Sequence, residues 1–299
     1  MIDTLVIAGG GLKGFSMISS VNELIKNKII KLKNIKFFYG TSVGSIICFL
    51  LSIGYSLDEL ECFIKQFNFK SLTNDLDIDN LFENFGLSHG SNIMATIQSL
   101  LKAKTGLLDI SFKNIYKRKN IRLNIIATNI TDGIEEVFSL ETNPNLSVMT
   151  AIRASIAVPI IFSPIKFNGK EYLDGGLVNN FPVNHVSSKN YLGITTNFKN
   201  NSTNTLMEYI FNFIHITIKT INFKNITSSN IDRVIILEDM GIDVGETNFD
   251  EKNIKDLVKI GEISTKNYLK KNNLVIKKIK FLNFLNENIE FIYQVFFYR

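Results

Sequence analysis

Two short apolar runs in this chain stop abruptly on glycine, and a helical pattern follows each of them. Leu5-Val6-Ile7-Ala8 ends at Gly9-Gly10-Gly11, after which Phe15, Ile18, Val21, Leu24 and Ile25 recur at helical spacing. Residues 35–39, Ile-Lys-Phe-Phe-Tyr, turn at Gly40-Thr41-Ser42-Val43-Gly44 into an apolar helix over residues 45–53, closed by Gly54. Strands that are apolar throughout belong to a sheet covered on both faces. Strand, glycine turn and helix, repeated, therefore predict an α/β fold with a mostly parallel central sheet.

Further along, residues 123–127 read as a strand and residues 148–157 as a helix ending before Pro159. Residues 165–167 and 172–173 read as a hairpin across Asn168-Gly169, with Asp174 directly after it. Residues 191–195 and 234–237 are further strands, flanking an aromatic helix over residues 206–223. Helical patches at 57–67 and 93–101, parted by an acidic, turn-rich stretch at 75–80, make residues 56–120 an insertion placed to cover a site. Residues 197–204 are linker-like, and an extension over residues 270–299 alternates basic and apolar residues. One domain is expected, its motif-bearing core at residues 4–185.

The 299 residues, 45% of them hydrophobic, can bury one large core. Lys and Arg outnumber Asp and Glu by 33 to 28; the resulting +5 is too small a surplus to indicate a nucleic-acid partner and is compatible with an anionic lipid surface. Cys48 and Cys62 lie in apolar helical stretches and read as reduced core residues, which points to a reducing, cytoplasmic compartment. No apolar run reaches the roughly 18 residues of a transmembrane helix. The start lacks the basic region and longer apolar core of a signal peptide.

Three motifs carry chemistry. In Gly40-Thr41-Ser42-Val43-Gly44 small neighbours let a strained strand-to-helix turn push the serine hydroxyl clear of the backbone, although a capping serine in a plain loop has the same residues. The run Gly9-Gly10-Gly11-Leu12-Lys13-Gly14 lets several N–H groups converge on one anion at a helix start. An oxyanion hole needs that convergence, and losing one donor costs about 2.7–4 kcal/mol of transition-state stabilisation. The same run fits a dinucleotide turn, but the acid that such a turn requires after the second strand is replaced by Gly40-Thr41-Ser42. Lys13 opposes the helix dipole, so it binds a phosphate-bearing substrate, pins the loop through a carboxylate, or faces solvent. Finally, Asp174-Gly175-Gly176 either presents a carboxylate that accepts the serine's proton once desolvation raises its basicity, or forms an Asx-type turn.

In this order the motifs resemble those of the patatin-like phospholipases. Residues 9–14 match G-G-G-x-[KR]-G, Ser42 stands in G-x-S-x-G and Asp174 in D-G-[GA]; residues 151–159, Ala-Ile-Arg-Ala-Ser-Ile-Ala-Val-Pro, are similar to the family's R-A-S-x-A-x-P block. The resemblance implies a three-layer α/β/α patatin-like fold and a Ser42–Asp174 dyad without histidine, metal or cofactor. It also implies phospholipase A-type cleavage of phospholipid acyl esters. Gly9, Gly10, Gly11, Lys13 and Gly14 would form the oxyanion hole, with the Gly10 and Gly11 amides as donors, and Arg153 would bind substrate. An activator protein is left unspecified. Ala8 stands where family members often carry Ser or Asp, which removes a loop-ordering side chain.

The same residues admit other readings. A Ser-Asp-His triad would need His89, His185 or His215, of which the last two follow Asp174 in the chain. A catalytically silent, nucleotide- or anion-binding module would use the glycine run alone. Peripheral membrane contact is suggested by 24 Phe, by residues 209–223 and by the tail 270–299, although either segment could instead pack on the sheet.

Overall fold

The computed structural model describes residues 1–66, 75–197, 205–238 and 251–287. Strand β1 (Thr4–Ile7) is buried at every residue and pairs in parallel with β2 (Phe37–Thr41) and β9 (Tyr191–Thr196). The parallel core continues from β2 to β4 (Arg122–Asn129) and from β9 to β10 (Val234–Leu237). β5 (Ile134–Phe138) and the hairpin of β7 (Ile165–Phe167) and β8 (Lys170–Asp174) join it antiparallel. Among the described residues the sheet has eight strands, mixed but mostly parallel, and helices flank it in a three-layer α/β/α arrangement. No helix of the described residues is long and apolar enough to cross a membrane.

Helix α1 (Gly14–Lys26) connects β1 to β2, and α2 (Val43–Ile53) leaves β2. The second is apolar nearly all round because it lies between the sheet and α5 (Ser91–Thr105), and Gly54 ends it with a left-handed φ of 103°. β2 starts two residues later than its apolar run, since Ile35 caps a turn of 3-10 helix at Leu32–Asn34. Around α5, residues 56–120 also hold α3 (Leu57–Gln66), α4 (Ile78–Asn84), α6 (Phe112–Lys119) and a strand that sequence patterning did not foresee. That strand, β3 (Gly86–Ser88), pairs with β6 (Ile160–Phe162) in a separate two-stranded sheet. β5 was equally hidden: Ile-Glu-Glu-Val-Phe lies half-buried at its position and lacks clean alternation.

The cysteines need one correction. Cys48 is buried but Cys62 is exposed, and neither is in a disulfide. The buried stripe of α3 runs through Leu57, Leu60 and Ile64, which leaves position 62 on the outer face.

Helix α7 (Val148–Ser155) and the short α8 (Gly176–Asn179) bracket the hairpin, and α9 (Leu206–Asn225) packs on α8. α10 (Glu251–Glu287) begins well before the basic and apolar alternation read from residue 270. Residues 198–204 of the linker-like stretch and 288–299 of the extension lie outside the described residues. Small residues seat α10 on α1: Ser20 Oγ and Thr265 Oγ1 are 2.7 Å apart, and Ser19 Oγ donates to the Val258 carbonyl at 2.8 Å. At Gly261 a Cβ would fall on the Ser16 carbonyl oxygen and lie 2.8 Å from Ser19 Cβ. Gly261→Ala should therefore cost about 1–3 kcal/mol by overpacking, seen as a lower urea midpoint at unchanged m value. An unchanged midpoint would show that the two helices are not pressed together there.

Candidate active site

β2 ends at Thr41 and α2 starts at Val43, so Ser42 makes the turn alone, at φ 52° and ψ −129°. A non-glycine residue rarely adopts this conformation, and it persists only where its surroundings hold it. Here the Ser42 N–H donates to Ser155 Oγ at 2.9 Å, Ser155 Oγ donates to the Ile126 carbonyl, and Thr41 Oγ1 donates to the Asn179 carbonyl at 2.9 Å. The flanking glycines are required by contact. A Cβ at Gly40 would lie 2.6 Å from the Gly44 carbonyl oxygen, and one at Gly44 would fall on that of Ile7.

Strand register brings the aspartate to the serine. β2 pairs with β4 as far as Thr41↔Ile126, and β8 takes up the pairing at Ala127↔Asp174. β5 spans Ile125 to Asn129 and so occupies the opposite edge of β4. β2 and β8 thus follow one another along a single edge, and Ser42 and Asp174 emerge side by side where they meet. Asp174 is 5% exposed. Its backbone is fixed by Thr128 Oγ1, which donates to its carbonyl at 2.7 Å, and by its own N–H, which donates to the Ala157 carbonyl at 2.9 Å. Oδ1 accepts the Gly176 N–H at 2.7 Å, whereas Oδ2 is buried without a hydrogen-bond partner. Burial pushes the carboxyl up to about 6. The nearby Ser42 hydroxyl and the Gly176 N–H hold that rise in check, although no hydrogen bond is closed on Oδ2.

The glycine turn lies against the same point: a Cβ on Gly9 would be 3.1 Å from Ser42 Cβ. The Gly9 N–H is committed to the Asn180 carbonyl at 3.1 Å, so Gly9 shapes the turn and donates nothing outward. Among the described residues the Gly10 and Gly11 amides have no backbone acceptor, and Gly11 takes the left-handed φ of 53° that turns the chain into α1. A Cβ at Gly14 would lie 2.6 Å from Val43 Cγ2, so its absence lets α1 start beside the elbow. Lys13 does not face solvent: it is 7% exposed and its Nζ donates to the Asn197 carbonyl at 3.3 Å, just past the end of β9.

Arg153 turns its guanidinium inward. Nε donates to the His89 carbonyl at 3.0 Å and Nη2 to the Ser163 carbonyl at 2.7 Å, while Nη1 is buried without a partner. It thereby ties the chain around β3 and β6 to α7. Among the histidines, His185 Nε2 is 2.7 Å from Glu135 Oε1, a carboxylate on β5, and that contact raises its pKa. His215 lies midway along α9, and His89 is exposed. Among the described residues no three His, Cys, Asp or Glu side chains converge as metal ligands.

Sequence reading missed the supports of the site. Ser155 sat within the Ala-Ser block, and Asn179-Asn180 followed Asp174-Gly175-Gly176. Nothing in a single sequence separates a buried, bonded serine or asparagine from an exposed one.

A three-layer α/β/α sheet with a strained serine at a strand-to-helix elbow, beside a glycine turn and a buried aspartate, defines a class of nucleophile-elbow proteins. A family model described as patatin-like phospholipase matches residues 5–186. The chain is 34% identical over 228 residues to the probable lipid hydrolase 463L of Invertebrate iridescent virus 6, covering 71% of this chain and 76% of that protein. It is 33% identical over 184 residues to the uncharacterized protein R571 of Acanthamoeba polyphaga mimivirus, covering 61% of this chain and 60% of that one. Its fold is similar to the crystal structure of VipD from Legionella pneumophila, with a TM-score of 0.62 at 17% identity over 90% of this chain and 67% of that one. The chain belongs to the patatin-like phospholipase family and has the patatin-like fold.

Two stability measurements test this geometry. Ser155→Ala strands the Ser42 N–H and the Ile126 carbonyl in a dry site and should cost about 1–3 kcal/mol in urea unfolding; no loss would mean the elbow is held by other contacts. Asp174 has a folded pKa above its unfolded one, so its contribution is present at low pH and is lost as pH rises through about 6. Asp174→Asn should accordingly stabilise the protein at pH 8, by on the order of 2–3 kcal/mol, and change little at pH 4. Equal stability of the two proteins at pH 8 would contradict the raised pKa.

Proposed function

We propose that this chain is a lipid acyl hydrolase of the phospholipase A type, working through a Ser42–Asp174 dyad. The observation that carries this reading is the meeting of the strained Ser42 and the buried, unusually basic Asp174 along one edge of β4, with the glycine turn of Gly10 and Gly11 lying against Ser42 from the β1 side. The viral relative whose name is that of a lipid hydrolase supports the same substrate class.

The chemistry follows from the groups present. Ser42 Oγ attacks the acyl carbonyl carbon while its proton passes to Asp174 Oδ2. The Gly10 and Gly11 N–H groups take the charge that develops on the carbonyl oxygen. Collapse of the tetrahedral species breaks the ester C–O bond, and Asp174 returns the proton to the departing lysolipid alkoxide. Water then attacks the acyl-serine with Asp174 as base, releasing the fatty acid and restoring both residues. In this scheme Lys13 steadies the glycine turn against β9, and Arg153 holds the β3–β6 segment in place. Contact with a lipid surface is supported by α9, which exposes Leu206, Tyr209, Phe213 and Ile216 at helical spacing.

Product analysis on mixed phospholipid micelles tests the proposal. The wild type should release free fatty acid and lysophospholipid, and Ser42→Ala and Asp174→Asn should each lose several orders of magnitude. A fluorophosphonate probe should label Ser42; folded protein that resists it, or Ser42→Ala releasing fatty acid at the wild-type rate, rejects a serine nucleophile. The acid limb of kcat/KM should fall near pH 6, as Asp174 takes up the proton that disables it as a base. His185→Ala should keep most of the activity, because Glu135 rather than Asp174 holds that ring; a loss of orders of magnitude would make histidine the base.

A further inference from the structure

We propose that Asn180 is a positioning residue that sets the glycine turn relative to Ser42 and Asp174, with Asn222 of α9 as its outer support; the proposal rests on the acyl-hydrolase reading of the site. Asn180 follows α8 and is 1% exposed. Its carbonyl accepts the Gly9 N–H at 3.1 Å, and its Nδ2 donates to the Gly9 carbonyl at 3.3 Å and to Asn222 Oδ1 at 3.4 Å. Its Oδ1 lies where a Cβ on Gly9 would fall, and 3.0 Å from where one on Gly176 would stand. One side chain therefore touches both the turn that carries Gly10 and Gly11 and the loop that carries Asp174. Asn222 in turn donates from Nδ2 to Thr195 Oγ1 at 3.4 Å, which anchors the contact to β9.

Such a clamp answers a specific weakness. Consecutive glycines have more backbone freedom than any other sequence, and oxyanion donors help only if their direction is fixed before the reaction. Gly9 is gripped at both its N–H and its C=O, so the next two amides start from a fixed point. The side-chain half of that grip needs a donor at the length of asparagine, with an acceptor small enough to lie against two glycines. Alanine at position 180 removes this half and keeps the backbone bond from the Gly9 N–H, so the turn loosens while the sheet stays paired.

Steady-state kinetics on a soluble 4-nitrophenyl ester decide the matter, using wild type, Ser42→Ala, Asn180→Ala, Asn222→Ala and the double asparagine variant, with thermal melts alongside. Asn180→Ala is expected to lower kcat by about 10- to 100-fold with KM within about twofold, because the ground-state carbonyl draws little on these amides. Asn222→Ala should show a smaller fall of the same kind, and the double variant should be no worse than Asn180→Ala, since both changes act through one contact. Folded Asn180→Ala with wild-type kcat, or with its loss confined to KM, overturns the proposal. Should Asn180→Ala fail to fold, Asn222→Ala decides: reduced kcat at unchanged KM supports the role, and wild-type kcat overturns it. Ser42→Ala separates the two levels. If it hydrolyses the ester like wild type, the acyl-hydrolase reading fails; if it is dead while both asparagine variants keep wild-type kcat, only the positioning role fails.

Discussion

Along one edge of β4 the pairing strand changes from β2 to β8 between Ile126 and Ala127, and the geometry of the site follows from that handover. β2 must stop at Thr41 to leave room, and the chain can leave the sheet there only through a sharp turn, which Ser42 makes in a strained conformation. β8 must arrive antiparallel, so its last residue, Asp174, lies beside the first residue beyond β2. Ser155 occupies the junction, touching Ser42, the Ile126 carbonyl and, through its own carbonyl, the Gly175 N–H at 3.4 Å. A slip of one residue in β8 against β4 would turn the aspartate to the other face of the sheet.

Burial acts in opposite directions on the two halves of this arrangement. At the elbow itself the Ser42 N–H, the Ser155 and Ser45 hydroxyls and the Thr41 hydroxyl are satisfied inside the protein, which is how a dry polar turn is held at low cost. Asp174 Oδ2 is the exception: buried and without a hydrogen-bond partner, it costs stability and in return keeps the carboxylate more basic than one in water. The cost falls on that single oxygen, while Thr128 and Ala157 tie down the Asp174 backbone and the Gly176 N–H holds its Oδ1.

What could be read in advance was whatever leaves a mark on local sequence. Leu5-Val6-Ile7-Ala8 is apolar because both faces of β1 are covered, and the Asn168-Gly169 turn of β7 and β8 shows itself because both residues take positive φ, 50° and 72°. The elbow glycines were legible for the same reason, as positions that any side chain would block. β3, with three residues, and β5, with charged residues facing half-open space, owe their strand pairing to distant partners and carried no periodic signal. Cys62 misled because its apolar neighbours suggested burial, while the packed stripe of α3 passes on the other side. Lys13 and Arg153 were recognisable as unusual, yet only the folded arrangement shows that both direct their charge toward backbone carbonyls.

The buried asparagines were the least legible part of the site and link the most elements. Asn179 accepts Asn225 Nδ2 on its Oδ1 and donates to Glu135 Oε1, while its carbonyl takes Thr41 Oγ1; Asn180 meets Gly9 and Asn222. Through these contacts the inner face of α9 reaches the elbow strand, the acid loop and the glycine turn. The outer face of the same helix carries Leu206, Tyr209, Phe213 and Ile216 in the open. The exposed apolar face of α9 and the glycine turn are thus joined through the paired side chains of Asn222 and Asn180, with Asn222 also reaching Thr195 of β9.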